Sequence, residues 1–473
     1  MNQNFCFGFT SPDDRLPIGK SGYGIILNHL SPNRQPLTGT TRICRVSLKT
    51  ELLQKIRVAQ VLGPKKLLLL PFALLYIGGL LLLSRVIQVN IHPIANSRIG
   101  HFATNTELAI LKIKDRKNRS NKREINLFCA TSPKSCNAAL EKMWSRDINL
   151  QTGNWGWLLN DISKHLKSTD FYQESTNLDR EGRLIDFPPS LNFSEIEMAV
   201  GDAFLSKNNV SNRKEFVCLN VRDGSYLASS GNLGWSESRD WSYHNYRDSD
   251  INTYVAAAEV LAEMGYTVFR MGAIVEKPLV SNHPQVFDYA TNGMRTEFLD
   301  IFLGAHCTFC VSTGSGWDSI PQIFRRPSLY VNLVPIFAHS CVVRDLLVYP
   351  KIIQDKVTKN DLGLIEIIDR KIIGSLFSAE YSDANVAIRD IGPDELVAAV
   401  KEMAQRVEGT FVETPEQKQM QEKLRDIFST HPKLQPTPNY YPIRAEFASC
   451  FSSKYPNFLD CGLFSFGFEA TDN

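Results

Sequence analysis

The chain has 473 residues, 43% of them hydrophobic and 22% charged. That length is too great for one ordinary domain and argues for two or three, with enough apolar residues for a large core. A formal net charge of +2 provides no field for nucleic acid, so no nucleic-acid partner is expected.

Residues 1–60 are irregular, with Ser, Pro and Gly scattered through them, and read as a variable or poorly ordered tail. Residues 61–86 carry the next signal: Leu67–Leu83 is almost wholly apolar, after Pro64-Lys65-Lys66 and before Ser84-Arg85. With Val86 the run reaches about 20 residues, the length that crosses a bilayer. It begins too far along the chain for a cleaved signal peptide, and Pro71 and Gly78-Gly79 suit a membrane helix better than a soluble one. A membrane-anchoring helix is expected. Lys49, Lys55, Arg57, Lys65 and Lys66 all precede it, which for a spanning helix would put the large domain outside the cytoplasm. An anchor lying in the membrane plane would not, and the sequence leaves both open.

Residues 87–213 read as a first α/β unit. Val86–Ile91 alternates as a strand, and Asn96–His101 turns into a helix over Thr104–Ile113. The strand Leu127–Ala130 and the helix Asn137–Trp144 follow, then an aromatic stretch with Trp155 and Trp157, then a helix near Phe193–Leu205. The basic run Lys112–Arg123 is solvated surface or a contact for anionic lipid or acceptor. An Asn-rich approach at Lys207–Lys214 leads to a second unit over residues 214–392. Its strands are Phe216–Val221, Tyr266–Met271, Val286–Tyr289, Thr308–Val311 and Ser328–Asn332. Its helices are Asp250–Met264, Glu297–Gly304 and Asp318–Phe324. This alternation predicts a parallel sheet. Residues 393–473 hold the helices Pro393–Val407 and Pro415–Ile427 and a tail.

In an open α/β sheet, ligands sit beyond the carboxyl ends of the strands. Val221-Arg222-Asp223 and Ser312-Thr313-Gly314-Ser315-Gly316 both follow strands, so the two turns are expected to meet at one crevice. Arg222 suits bidentate pairing with phosphate oxygens. Asp223 orients it or acts as a base. The Ser/Gly turn is neither a Walker loop, since no Lys follows, nor GxGxxG. Its small residues allow close approach, and its amides and hydroxyls are expected to ring a phosphate. His101, beside Gly100 and Arg98, is a general base or a structural His; its unperturbed pKa of about 6.5 permits the first role. Arg270, and Asp288-Tyr289 on the next strand, are expected to recognise a base or ribose. The one D-x-D, Asp248-Ser249-Asp250, precedes a helix and reads as capping, so no metal is expected; CxxC at Cys307–Cys310 lacks a second pair for zinc.

The blocks Arg98–His101, Val221–Asp223, His244–Asp250, Tyr266–Gly272, Asp300–Leu303 and Ser312–Pro321 resemble a bacterial group of glycosyltransferases of surface carbohydrate biosynthesis. The resemblance covers roughly residues 86–340 and, more loosely, Phe447–Leu459. More distantly, Val221–Asp223 with Thr313-Gly314-Ser315 is similar to the donor site of GT-B enzymes related to inverting fucosyltransferases. Asn220 stands where those enzymes commonly have His, and Trp317 adds bulk to the turn, so the donor is not carried over. The resemblance implies a GT-B-like fold, with two Rossmann-like domains facing across a cleft, an acceptor side over 87–213 and a nucleotide-sugar side over 214–392. It also implies an inverting, metal-independent transfer from a nucleotide-sugar donor, with no cofactor, to a glycan or lipid-linked acceptor. The enzyme would be membrane-associated, with its catalytic domain cytoplasmic. The alternatives are a non-catalytic carbohydrate-binding or assembly protein with the same shell, using Trp235 and Trp241 as platforms, and a phosphoryl or nucleotidyl enzyme using the same anion site.

Overall fold

The computed structural model describes residues 68–119, 123–166, 169–179, 181–210, 215–229, 241–336, 346–434 and 444–459. The expected tail over 1–60 and Trp235 lie outside them. The apolar run forms a helix over residues 68–83. Among the described residues no helix is long and apolar enough to cross a membrane. The spanning form of the expected anchor is therefore not found there.

Strands β1 (Gln88–Ile94), β2 (Glu124–Ala130) and β3 (Leu150–Gln151) form a three-stranded parallel sheet in that order. The helix Ile99–Arg119 crosses from β1 to β2 and is longer at both ends than the periodicity predicts. Its last turn carries Arg116, Lys117 and Arg119, which favour a helix C-terminus through the macrodipole and add nothing to an apolar pattern.

The second sheet is larger. It contains β4 (Phe216–Asn220), β5 (Thr267–Arg270), β6 (Val286–Phe287), β7 (Phe309–Ser312), β8 (Ser328–Leu333) and β9 (Leu346–Pro350). After a separate antiparallel pair, β10 (Ile352–Asp355) and β11 (Val386–Arg389), the chain adds β12 (Glu446–Phe447). The order is β12-β9-β8-β7-β4-β5-β6, and every pairing is parallel. β4, β5, β7, β8 and β9 are buried along their whole length, as strands covered on both faces should be. The described residues after 392 pack on this sheet: Leu396, Val400 and Leu424 share one core cluster with Val331 and Val348, and β12 pairs with β9.

The two α/β units are unequal, one with a three-stranded and the other with a seven-stranded parallel sheet. Phe102, Phe128 and Trp144 of the first unit lie in one buried cluster with Phe269, Phe302 and Ile320 of the second. Each such side chain contributes about 1.5–3 kcal/mol on burial, so the small sheet gains its core from one face of the large one.

From β4 the chain winds outward through β5 and β6, then returns to β7 on β4's other side. That reversal makes the β4/β7 carboxyl ends a topological switch point. Both sequence-predicted turns follow it.

Candidate functional site at the switch point

Asn220 and Ser312 are direct register partners at the ends of β4 and β7. Asn220 Nδ2 donates to Ser315 Oγ at 2.6 Å, Asp318 Oδ1 at 2.9 Å and Ser312 Oγ at 3.3 Å. Ser312 Oγ donates to Asp318 Oδ1 at 2.5 Å, and Thr313 Oγ1 accepts from the Arg222 amide at 2.9 Å. The two turns are thus bolted together by side chains. Asn220, which stands where the distantly similar enzymes commonly have His, ties the turn through its side chain.

The turn is less open than its composition suggests. The amide of Thr313 donates to Asn220 O, Gly314 to Ser312 Oγ, Ser315 to Asp318 Oδ2 and Trp317 to Ser315 Oγ. Ser312, Thr313 and Gly314 are buried; Ser315 is half-buried and Gly316 exposed. The expected ring of free amides is therefore corrected: short polar side chains are best placed to bond the nearby backbone, and here they do. Gly314 holds φ at +79°, and a Cβ there would meet Leu333 at 3.0 Å. Trp317 packs inward, its indole N–H donating to Asp300 O at 3.0 Å, so its bulk does not fill the crevice.

Arg222 turns back over the site. Its Nη1 donates to His244 O at 3.1 Å and pairs with Asp248, not with the adjacent Asp223. Arg247 donates through Nη2 to Gly314 O, while its buried Nε has no hydrogen-bond partner. Burial first, and the neighbouring Arg247 charge second, push Arg222 down to about 10. Asp248, whose own pKa burial raises, and Asp223 face Arg222, while Arg247 faces Asp248 and Asp318. Two guanidinium groups held side by side suit an anion. Lys351, 4% exposed, donates to Asp248 O at 2.6 Å and pairs with Asp390 at 2.7 Å, holding the carboxylate segment in place.

Asp248 was read as a cap and is the partner of Arg222; Asp250 is the cap, accepting from Asn252 N at 3.2 Å. Asp223 accepts two amides, Ser225 N and Glu276 N, each at 2.9 Å. Both its oxygens are engaged in bracing the backbone at 225 and 276. Beside it is a cavity of about 250 Å³, lined by Asp223, Asp248, Ser249, Glu276 and Lys277 among others.

The first unit reaches the same place. A Cβ on Gly100 would lie 2.8 Å from Gly316 O and 2.9 Å from Gly316 Cα. The first turn of the helix Ile99–Arg119 therefore abuts the 312–316 turn, with Arg98 and half-buried His101 on either side of Ile99-Gly100. Arg98 stacks over Trp241 at 5.1 Å. Arg270, Asp288 and Tyr289 are placed differently. Arg270 is fully buried, with Nη1 on Asp288 Oδ1 at 3.2 Å and Nη2 on Lys277 O at 3.1 Å. Tyr289 is fully buried and donates to Asp300 Oδ1 at 3.1 Å. These three brace the neighbouring loops and offer no face to a base or ribose.

Asp318 is the residue sequence reasoning missed. Burial pushes it up to about 6, against the hydrogen bonds from Ser312 and Asn220. The signal was available: Ser315 followed three residues later by an acid is a capping box.

No protein-family description matches the chain, and no curated protein does. Among solved structures it is similar to the E. coli ADP-heptose LPS heptosyltransferase II, at 15% identity over 56% of this chain and 91% of that one, with a TM-score of 0.35. It is also similar to a glycosyl transferase of family 9 from Veillonella parvula, at 9% identity over 68% of this chain and 98% of that one, with a TM-score of 0.39. Likeness of this degree leaves the function to the site.

Proposed function

We propose that the chain is a glycosyltransferase of GT-B type that moves a sugar from a nucleotide-sugar donor to a glycan or lipid-linked acceptor, with inversion. The observation that carries this reading is the pair of guanidinium groups at the switch point, Arg222 held by Asp248 and Arg247 held on Gly314 O. A nucleoside diphosphate is the anion that two such groups side by side would receive.

In the reaction, the acceptor hydroxyl oxygen attacks the anomeric carbon as the bond from that carbon to the diphosphate oxygen breaks. The hydroxyl proton passes to a base, and the departing diphosphate carries its charge onto fixed cations. Arg222 and Arg247 hold that charge. Ser315 and Gly316, the accessible part of the turn, approach the phosphates closely. His101 is assigned as the base, since both oxygens of Asp223 are engaged by backbone amides. The carboxylates of the adjoining cavity accept hydrogen bonds from sugar hydroxyls.

The test is thermal unfolding of the full chain with UDP-, GDP-, ADP-, dTDP- and CMP-sugars. A ligand at 100 times its Kd stabilises by about 2.7 kcal/mol. One selective stabiliser whose effect disappears in Arg222→Ala supports a donor site and names its nucleotide. A folded protein that responds to none of them, and transfers no sugar, favours the carbohydrate-binding alternative.

A further inference from the structure

The helix over residues 68–83 contains no charged residue. Leu68, Phe72, Leu75 and Leu82 are each more than 60% exposed, and Leu74, Tyr76 and Leu83 are exposed as well. Only Ala73 and Ile77 are buried, one turn apart on one stripe. At about 100° per residue, the exposed large side chains cover roughly 200° of the circumference. A helix packed on another protein hides a stripe of about 100°. A hydrocarbon phase has no such limit.

A second feature follows in the chain. Residues 84–87 lead from this helix into the amino end of β1, and Gln88 pairs with Glu124 at the start of β2. The helix Ile99–Arg119 runs back to that edge between them, so Arg85, Arg116, Lys117, Arg119 and Arg123 gather there. Two carboxylates answer them: Glu124 binds Arg116 at 3.1 Å, and Asp115 binds Arg119 at 3.0 Å. Arg85, Lys117, Arg119 and Arg123 remain exposed.

We infer that this edge binds an anionic lipid surface, with the helix over 68–83 lying in the interfacial plane and the basic groups on the headgroups. An apolar face flanked by Lys and Arg matches this mode of attachment, and each basic residue near such a surface adds its own electrostatic attraction. The edge is the amino end of the small sheet, whereas the crevice lies beyond its carboxyl end. Membrane binding therefore holds whether or not the crevice transfers sugar.

The experiment is flotation of the full chain with vesicles of phosphatidylethanolamine and phosphatidylglycerol, and separately with vesicles of phosphatidylcholine alone. The chain is expected to float with both, and more tightly with the anionic ones in a salt-sensitive way. Phe72→Asp with Leu75→Asp should weaken binding to both by at least about tenfold. Lys117→Glu with Arg119→Glu should weaken only the anionic case, also by about tenfold or more. A chain that floats with neither composition overturns the inference. So does one that sediments as a dimer which Leu75→Asp dissociates, because the apolar face then belongs to a second copy.

Discussion

Arg222 and Arg270 follow neighbouring parallel strands of one sheet, and both looked like ligand residues in the sequence. Leu219, three residues before Arg222, pairs in register with Arg270. Yet Arg270 is sealed against Asp288, while Arg222 bends towards Arg247 at the crevice. The difference lies in the connections. After β5 the chain continues outward in the same sense and the 277–291 loop folds over the strand end. After β4 the winding reverses, so the carboxyl ends of β4 and β7 part at the switch point. A strand-end arginine is a ligand candidate where the topology leaves the end open, and a brace where a loop closes it.

Removing each arginine should separate the two roles. Arg270→Ala leaves Asp288 buried without its cation, and breaking such a pair costs about 3–5 kcal/mol. A large fall in the denaturant midpoint is expected; an unchanged midpoint would refute the bracing role. Gly100→Ala attacks the crevice from the first unit. Its Cβ would sit 2.8 Å from a backbone oxygen that cannot swing away, so a loss of about 1–3 kcal/mol is expected, with weaker donor binding as the 312–316 turn shifts. If melting temperature and affinity both hold, the two units do not need this contact.

Arg222→Ala should do the reverse of Arg270→Ala. Charge-assisted hydrogen bonds contribute about 1.5–3 kcal/mol, so donor affinity should drop roughly 10- to 100-fold with a smaller change in the denaturant midpoint. Arg222→Lys should not restore it, because an ammonium lacks the planar fork. Equal loss of stability and binding in both arginine variants would erase the distinction.

The smallest effect is in pH dependence. Asp318 is raised from 3.8 to about 6 by burial, so the folded state binds its proton more tightly than the unfolded chain does. Stability from this group is therefore greatest below about pH 4 and falls as pH rises towards 6, by up to about 1.4 kcal/mol per pH unit. Asp300, likewise raised to about 6 by burial, acts in the same direction. Melting curves from pH 4 to 7 should show a shallower slope for Asp318→Asn than for the unaltered chain. An identical slope would mean that Asp318 does not titrate in that window.

Much of this molecule was legible in its residue order. The parallel sheet followed from apolar runs such as Phe216–Asn220 and Phe309–Ser312, each ended by a polar turn and separated by helical spacing. The meeting of those two turns also followed, because strand alternation limits which ends share an edge. The apolar helix near the start was visible as well, since uninterrupted hydrophobicity is a local property. The sequence could not show which polar groups were already engaged. Asn220, Ser312 and Asp318 lie up to 98 residues apart, and only their convergence turns an inviting Ser/Gly turn into a self-bonded buttress. Nor could it show that Arg222 chooses Asp248 over its neighbour Asp223, or that Gly100 meets Gly316. Propensity and periodicity are local and survive in one dimension; hydrogen-bond partners and desolvation depend on distances that exist only after the chain has folded.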